Sequence, residues 1–348
     1  MTSVSETANG TRAKAARVAG LSMVLWRRLG LAAALVLAVA IPFVASGYHT
    51  FQFTQVLIYA IALLGLNLLT GYNGQISLGH GAFYAIGAYT TAILIVKLGV
   101  PYWATVPVAG LICLVTGFLF GLPALRLEGL YLALATFALA LSTPQILKFK
   151  KLEAWTGGVQ GINIDKPDAP FGLPLDGDQW LYLFALVCLI PLFWMGRNLI
   201  RGRVGRAIVA IRDHPTAAET MGVNIAFYKS LTFGVSAAFT GVAGALGGLV
   251  TGFVAPDSFQ ILLSLYLLVG IVVGGLASIA GVFFGALFIE FVPIYADQLT
   301  DLFGDRAKAL PWAMFGVMLI ASMYLMPTGV IGLIKSLGAR IARSAGRD

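Results

Sequence analysis

The sequence predicts an all-α fold: a polytopic transmembrane helical bundle of about ten spans, with both termini cytoplasmic. Composition is the first observation behind it. Of 348 residues, 59% are hydrophobic and 11% charged, against roughly 25% charged in an ordinary soluble domain. The second is the spacing of the charges. Charge-free runs cover residues 29–96 (68 residues), 98–125 (28), 230–256 (27), 258–289 (32) and 309–334 (26). Each exceeds the ~20 apolar residues that cross a bilayer as a helix. The third is the side on which the basic residues fall. With the N-terminus inside, inside segments hold 16 of the 23 Lys and Arg and are net +11, and outside segments are net −2. That is the bias cytoplasmic segments show.

Taken in order, the first span covers residues 29–46. It follows a basic stretch (Arg12, Lys14, Arg17, Arg27, Arg28) as a signal peptide would, but it is longer than a ~7–15-residue signal core and is read as uncleaved. Further spans follow at 53–70, 82–98, 104–122, 129–147, 180–196, 229–251, 259–275, 279–296 and 310–326. Only the Gly274-Gly275-Leu276-Ala277-Ser278-Ile279-Ala280-Gly281 stretch separates the eighth from the ninth. Merging them gives nine spans and places the basic C-terminal tail outside. The predicted organisation is a basic cytoplasmic tail at 1–28, a transmembrane domain at 29–334 and a basic cytoplasmic tail at 335–348.

Two hydrophilic segments interrupt this pattern. Residues 148–179 are external and rich in Gly, Pro and Asp, which predicts an irregular ordered cap. Residues 197–228 are cytoplasmic. There Ala207, Ile208, Ala210 and Ile211 form a helical stripe, and Pro215 can start a second short helix ending at Gly222. This segment is either a docking helix pair or a solvated loop that sets topology.

The net charge of +8 is explained by topology, so no nucleic-acid partner is expected; the partner that the composition demands is membrane lipid. Cys113 and Cys188 both lie in apolar runs and indicate neither a disulfide framework nor a metal cluster. No Walker A, Gly-x-Ser-x-Gly, His-Glu-x-x-His or paired Cys-x-x-Cys pattern occurs. The chain is therefore read as a non-enzyme that binds no cofactor, and any ATP and Mg belong to a separate polypeptide.

Few polar groups fall inside the apolar spans. Glu290 is the one formally charged residue in a span interior, where an unpaired carboxylate costs at least ~2.5 kcal/mol. It is either a pathway residue or a carboxyl near a helix end that reaches the external surface, since Pro293 and Asp297 follow. Residues 71–81 are charge-free yet polar and glycine-rich, with Asn73, Gln75, Ser77 and His80. A plain turn does not need eleven such residues, whereas non-helical backbone is tolerated at membrane depth when protein buries it. The segment is read as a partly re-entrant, broken-helix element. His80 is either a hydrogen-bonded structural histidine or a relay, and Asn67 either an interhelical bond or a ligand. Gly117-x-x-x-Gly121, Gly270-x-x-x-Gly274, Gly281-x-x-x-Gly285 and the glycines at 241, 244, 247 and 248 predict tight helix packing. The shared Gly-x-x-Phe-Gly pattern at 117 and 281 is a weak trace of duplicated halves.

At these motifs the chain resembles the LivM-type permease subunits of the ABC importers for branched-chain amino acids. The resemblance is carried by Gly71-Tyr-Asn-Gly-Gln-Ile-Ser-Leu-Gly-His-Gly-Ala-Phe83 with Gly87-Ala-Tyr89, Thr156-Gly-Gly158 with Gly161, Arg203-Val-Gly-Arg-Ala207 through Ala217-Ala-Glu219 and Met221-Gly222, the Gly274-Gly275 pair, and Met326-Pro-Thr-Gly329. It implies a permease of the bacterial inner membrane that pairs with a homologous permease, contacts two ATPase subunits and receives its cargo from a periplasmic binding protein. It implies a coupling helix between Arg203 and Gly222, with Arg203, Arg206, Arg212, Ala217, Ala218, Glu219 and Gly222 as contact candidates. The order Ala217-Ala218-Glu219 only loosely resembles the EAA-type loop of other importers. Asn67, Asn73, Gln75, Ser77, His80 and Glu290 are the candidates for the translocation pathway, since a mostly apolar conduit with a few polar groups suits a zwitterion with an apolar side chain. Alternative readings are the permease of a urea or short-amide ABC importer and, from another class, a proton-coupled secondary transporter using Glu290 and His80.

Overall fold

The computed structural model describes residues 30, 32–33, 35–125, 127, 129–172, 174–303, 316–317, 320–321, 324, 329–334 and 336. The tails at 1–28 and 335–348 and the tenth predicted span, 310–326, fall outside these apart from scattered positions. The first predicted span contains a short apolar helix, α1 (Leu35–Val44). The segment through Thr50 is one unit and the body from Phe51 onward is another.

Among its described residues the body is helical apart from connecting loops and two two-residue strands. Its long helices are α2 (Gly47–Leu66, which starts at the boundary), α3 (His80–Leu98), α4 (Tyr102–Ala124), α5 (Leu130–Leu147), α7 (Gly177–Arg201), α10 (Ile225–Thr251), α11 (Ile261–Gly274) and α12 (Gly281–Phe303). Between them lie one turn of helix, α6 (Glu153–Thr156), and the short pair α8 (Arg203–Asp213) and α9 (Pro215–Thr220). Among the described residues eight spans, at positions matching the eight predicted between residues 53 and 296, are long and apolar enough to cross a membrane. The chain is a multi-pass helical membrane protein. The Gly-rich stretch does divide α11 from α12, as the ten-span reading requires and the nine-span reading does not.

Local signals start and stop these helices. Asp176 and Gln179 form a reciprocal capping box at α7, and the Asn224 side chain accepts from Phe227 N–H at the start of α10. Helix α3 ends where Gly99 turns left-handed (φ 62°), with Val100 N–H bonded back to Leu94 O at 3.0 Å.

Helix α10 is the core of the body, packed chiefly on α3 and α4. Glycines allow this: a Cβ at Gly87 would collide with the Gly241 carbonyl, and one at Gly244 with that of Tyr84. Helices α11 and α12 pair in the same way, Gly274 against Gly281 and Gly270 against Gly285. The two Gly-x-x-Phe-Gly stretches have different neighbours, Gly117 and Gly121 packing on α10 and Gly281 and Gly285 on α11. One end of the body carries α8 and α9. The opposite end carries residues 148–179, where β1 (Ile162–Asn163) pairs antiparallel with β2 (Phe253–Val254) just beyond α10.

Candidate functional site

The site begins where α2 stops being an α-helix. Residues Asn67–Tyr72 widen into a π-helical turn, a form often found at functional positions. Its first residue, Asn67, is buried and clamps the distant turn between α11 and α12. Its Nδ2 donates to Ser278 O at 2.9 Å and its Oδ1 accepts from Ala277 N at 2.9 Å. Ala277 is the one non-glycine residue with positive φ (56°) among the described residues, a conformation that costs roughly 1–2 kcal/mol. Gly71 fits against Asn67 Oδ1 and Ala277 N with no room for a Cβ.

Beyond Tyr72 the backbone loses helical bonding and other elements satisfy it. Gln75 N donates to Leu69 O (3.1 Å), Thr70 Oγ1 to Gln75 O (3.0 Å), Leu78 N to Thr136 Oγ1 (2.9 Å) and Gly81 N to Ser264 Oγ (2.8 Å). Asn73 Nδ2 donates to Gln75 Oε1 at 3.0 Å.

His80 closes the break through a directed chain of bonds. Ser236 Oγ lies 2.6 Å from Gly65 O, a pure acceptor, so the Ser236 proton goes there. Ser236 must then accept from His80 Nε2 at 2.7 Å. With the ring neutral, Nδ1 accepts from Ser77 Oγ at 3.0 Å, and Ser77 Oγ accepts from Gly79 N at 3.3 Å. Five groups on α2, the break, α3 and α10 are satisfied in one direction, and His80 is fully enclosed. This is the bonding of a structural histidine.

The break is re-entrant. Ser236 lies eleven residues into α10 from Ile225, about 16 Å at 1.5 Å per residue. Ser264, which meets Gly81, lies ten residues from the Gly274 end of α11, about 15 Å by the same measure. Gly71, in contrast, touches α8 at the bundle end. Residues 72–79 therefore run from the end of the bundle into its interior. Odd-numbered residues point inward, with Asn73, Gln75 and Ser77 buried, whereas Gly74 and Ile76 are exposed, Ile76 by 46%. The structure thus brings Asn67, Asn73, Gln75, Ser77 and His80 together as groups with hydrogen bonds inside the subunit, while the buried Asn73 Oδ1 has no partner. The surface that the break presents is that of Gly74 and Ile76.

Helices α8 and α9 form the predicted pair. Gly205, Ala207, Ile208 and Ile211 face the body while Arg203 and Arg206 face outward, and on α9 Ala218 is buried between exposed Ala217 and Glu219. Arg212 differs from its neighbours: Nη1 donates to Gly71 O at 2.9 Å, while Nε and Nη2 hold Asp213 Oδ1, each at 2.9 Å. Gly222 (φ 81°) closes α9. Beside it a cleft of about 510 Å³ is lined by Leu125, Glu219, Gly222, Val223, Asn224 and Lys229, among others.

Glu290 is not near a helix end. Helix α12 runs through Pro293 and Asp297 to Phe303, because a proline removes one backbone bond without stopping a helix whose neighbours pack around it. The carboxyl sits half-buried in mid-span, within electrostatic range of the Tyr59 and Tyr84 phenols, and takes part in none of the ion pairs among the described residues.

Sequence reasoning missed Thr136, Ser236, Ser264 and Ala277. Each lies 58 to 210 positions from its partner in the break, and a lone Ser or Thr in an apolar helix carries no local signal. At the far end, Thr156 Oγ1 donates toward Leu147 O (2.8 Å) and Leu152 O (3.0 Å) and accepts from Gly158 N, and Gly161 fits against Val254 O. This explains the Thr156-Gly-Gly158 and Gly161 pattern as a fold-defining turn.

A multi-pass helical bundle with a re-entrant polar break, and a surface helix pair bonded to that break, defines a membrane transport subunit. The chain belongs to the family described as branched-chain amino acid transport system / permease component, whose profile matches residues 48–325. It is 34% identical to the high-affinity branched-chain amino acid transport system permease protein LivM of Escherichia coli, over 89% of this chain and 76% of that one. It is 25% identical to the BraD permease protein of Pseudomonas aeruginosa, over 79% and 91% of the two chains. Identity to the Escherichia coli LivH permease protein is 23%, again over 79% and 91%. No solved structure matches.

Proposed function

We propose that this chain is one permease subunit of an ATP-driven importer in a bacterial inner membrane, carrying branched-chain and similar hydrophobic amino acids inward. The observation that carries the reading is the family match over residues 48–325, joined by LivM identity along most of the chain. The subunit works beside a homologous second permease, the relation suggested by its similarity to both LivM and LivH. ATP and Mg are bound by two separate ATPase subunits, and a periplasmic protein delivers the cargo.

In this scheme the α8–α9 end is cytoplasmic. Arg197, Arg201, Arg203, Arg206, Arg212 and Lys229 gather there, in keeping with the positive-inside bias. The cap at 148–179 is then external, and ten spans return both termini to the cytoplasm. The exposed side of α8 and α9, with Arg203, Arg206, Ala217, Glu219 and Gly222, docks on the ATPase; Ala218 supports it from behind. ATP binding draws the ATPases together and moves this pair, and the paired bundles pass from outward to inward opening. Gly74 and Ile76 give the pathway an apolar surface beside the α8 end of the bundle, and Glu290 gives it a carboxylate able to meet an ammonium group.

Leucine uptake in a strain lacking the chain tests the proposal. Uptake should return with a plasmid copy and vanish on ATP depletion. If the proton gradient alone drives it, a secondary transporter is the correct reading. A cognate binding protein that holds urea or a short amide and no leucine would overturn the substrate assignment. Reporters at Asp165 and His214 should fall outside and inside, and one shared compartment would contradict the topology.

A further inference from the structure

We infer that Arg212 is the positioning residue that ties α8 to the re-entrant break, so that a displacement of the surface helix is passed to residues 71–80 and to the α11–α12 turn. The inference deepens the importer reading and rests on it. Its first support is direction. Arg212 is exposed like Arg203 and Arg206, but its guanidinium reaches back and donates to Gly71 O at 2.9 Å, whereas Arg206 Nη1 donates to Arg201 O on its own side. Asp213 Oδ1 holds Nε and Nη2 of the same guanidinium, which leaves Nη1 aimed at the break. Three bonds from one planar fork fix its orientation.

The contact is also close along the stem. Gly74, at φ 74°, lies against the Arg212 side chain, and a Cβ there would come within 2.8 Å of Arg212 Cγ. The break therefore touches Arg212 at two points three residues apart, Gly71 by hydrogen bond and Gly74 by packing.

The third support lies on the other side of Gly71. That residue fits without clearance against Asn67 Oδ1 and Ala277 N, and Asn67 brackets Ala277 and Ser278 with two 2.9 Å bonds. Ala277 holds a left-handed backbone, a conformation that persists only when its surroundings over-determine it. Gly329 in turn fits against Gly275. Arg212, Gly71, Asn67 and Ala277 thus form one contiguous contact path from α8 to the start of α12. It has no slack at Gly71, where a methyl group does not fit.

The test uses the whole importer in liposomes: both permeases, the ATPases and the binding protein. Arg212→Met keeps the stem against Gly74 and removes every donor. The complex should assemble with its ATPases and hydrolyse ATP within about twofold of wild type, while amino acid carried per ATP falls at least tenfold. Arg212→Lys, which keeps the charge and a single donor nitrogen on a shorter reach, should recover part of that ratio. A wild-type ratio in Arg212→Met overturns the inference. Loss of the ATPases from the complex also overturns it, because Arg212 is then a docking residue like Arg206. Should Arg212→Met fail to accumulate, a wild-type ratio in Arg212→Lys overturns it and a reduced one upholds it. If the wild-type complex shows no ATP-driven uptake, it is the importer reading that fails.

Discussion

His80 and Glu290 are both polar residues set into apolar helices, and the structure treats them in opposite ways. Both His80 ring nitrogens have partners, in a chain running from Gly79 N–H to Gly65 C=O, and no part of the residue meets solvent. Glu290 is half-buried and belongs to none of the ion pairs among the described residues. A polar group in hydrocarbon is costly unless hydrogen-bonded. His80 therefore belongs to the architecture of the break. Glu290 is partly exposed and belongs to no such bonded chain, so its carboxylate is not tied into the fold as His80 is.

The largest effect should come from His80→Ala. It opens a cavity between α3 and α10 and leaves the Ser77 hydroxyl without its acceptor, together about 3–5 kcal/mol. The melting temperature of the detergent-solubilised complex should collapse together with uptake. Lost uptake at unchanged stability would instead make His80 a transport group and erase the contrast with Glu290. Next is Asn67→Leu, which strands Ala277 N–H and Ser278 C=O at about 1–3 kcal/mol each. It should lower the melting temperature by several degrees, and an unchanged value would mean the clamp is dispensable.

Glu290→Gln should act in the other sense. The amide keeps the shape and removes the charge, so stability should hold or rise while leucine uptake falls severalfold at normal expression. Unchanged uptake would return Glu290 to a structural role. The smallest effect should be that of Lys148→Met. This ion pair with Asp257 at the cap end is more than half exposed on the acid side, so its loss should cost about 0–1 kcal/mol. A larger destabilisation would show that the cap supports the bundle more than its surface pairs suggest.

Much of this was legible in the sequence because it is carried by local pattern. Apolar stretches punctuated by Gly, Pro and polar clusters located the eight spans seen among the described residues, Gly274-Gly275 marked the α11–α12 division, and the polar run at 71–81 announced a break too long for a turn. The orientation of that run was not legible. Asn73, Gln75 and Ser77 were expected along a pathway; after the helical Asn73 and the left-handed Gly74 the chain alternates buried and exposed positions, and the polar residues occupy the buried ones. Only three-dimensional partners decide which set is enclosed, and these are Thr136, Ser236 and Ser264 on three different helices. Glu290 was misplaced toward a helix end for a related reason: Pro293 reads as a stop when the helices that pack against α12 are not in view. Arg212 stood among the docking arginines because sequence separates neither its direction nor its bond to Gly71, 141 positions away.

The inward alternation of the break is the central structural claim, and cysteine accessibility tests it most directly. In a background with Cys113 and Cys188 replaced, single cysteines at Ile76, Asn73 and Ser77 are exposed to a membrane-permeant thiol reagent in the native complex. Position 76 should react at least tenfold faster than 73 and 77. Equal rates at all three would make residues 71–81 a solvated surface turn and contradict the re-entrant account.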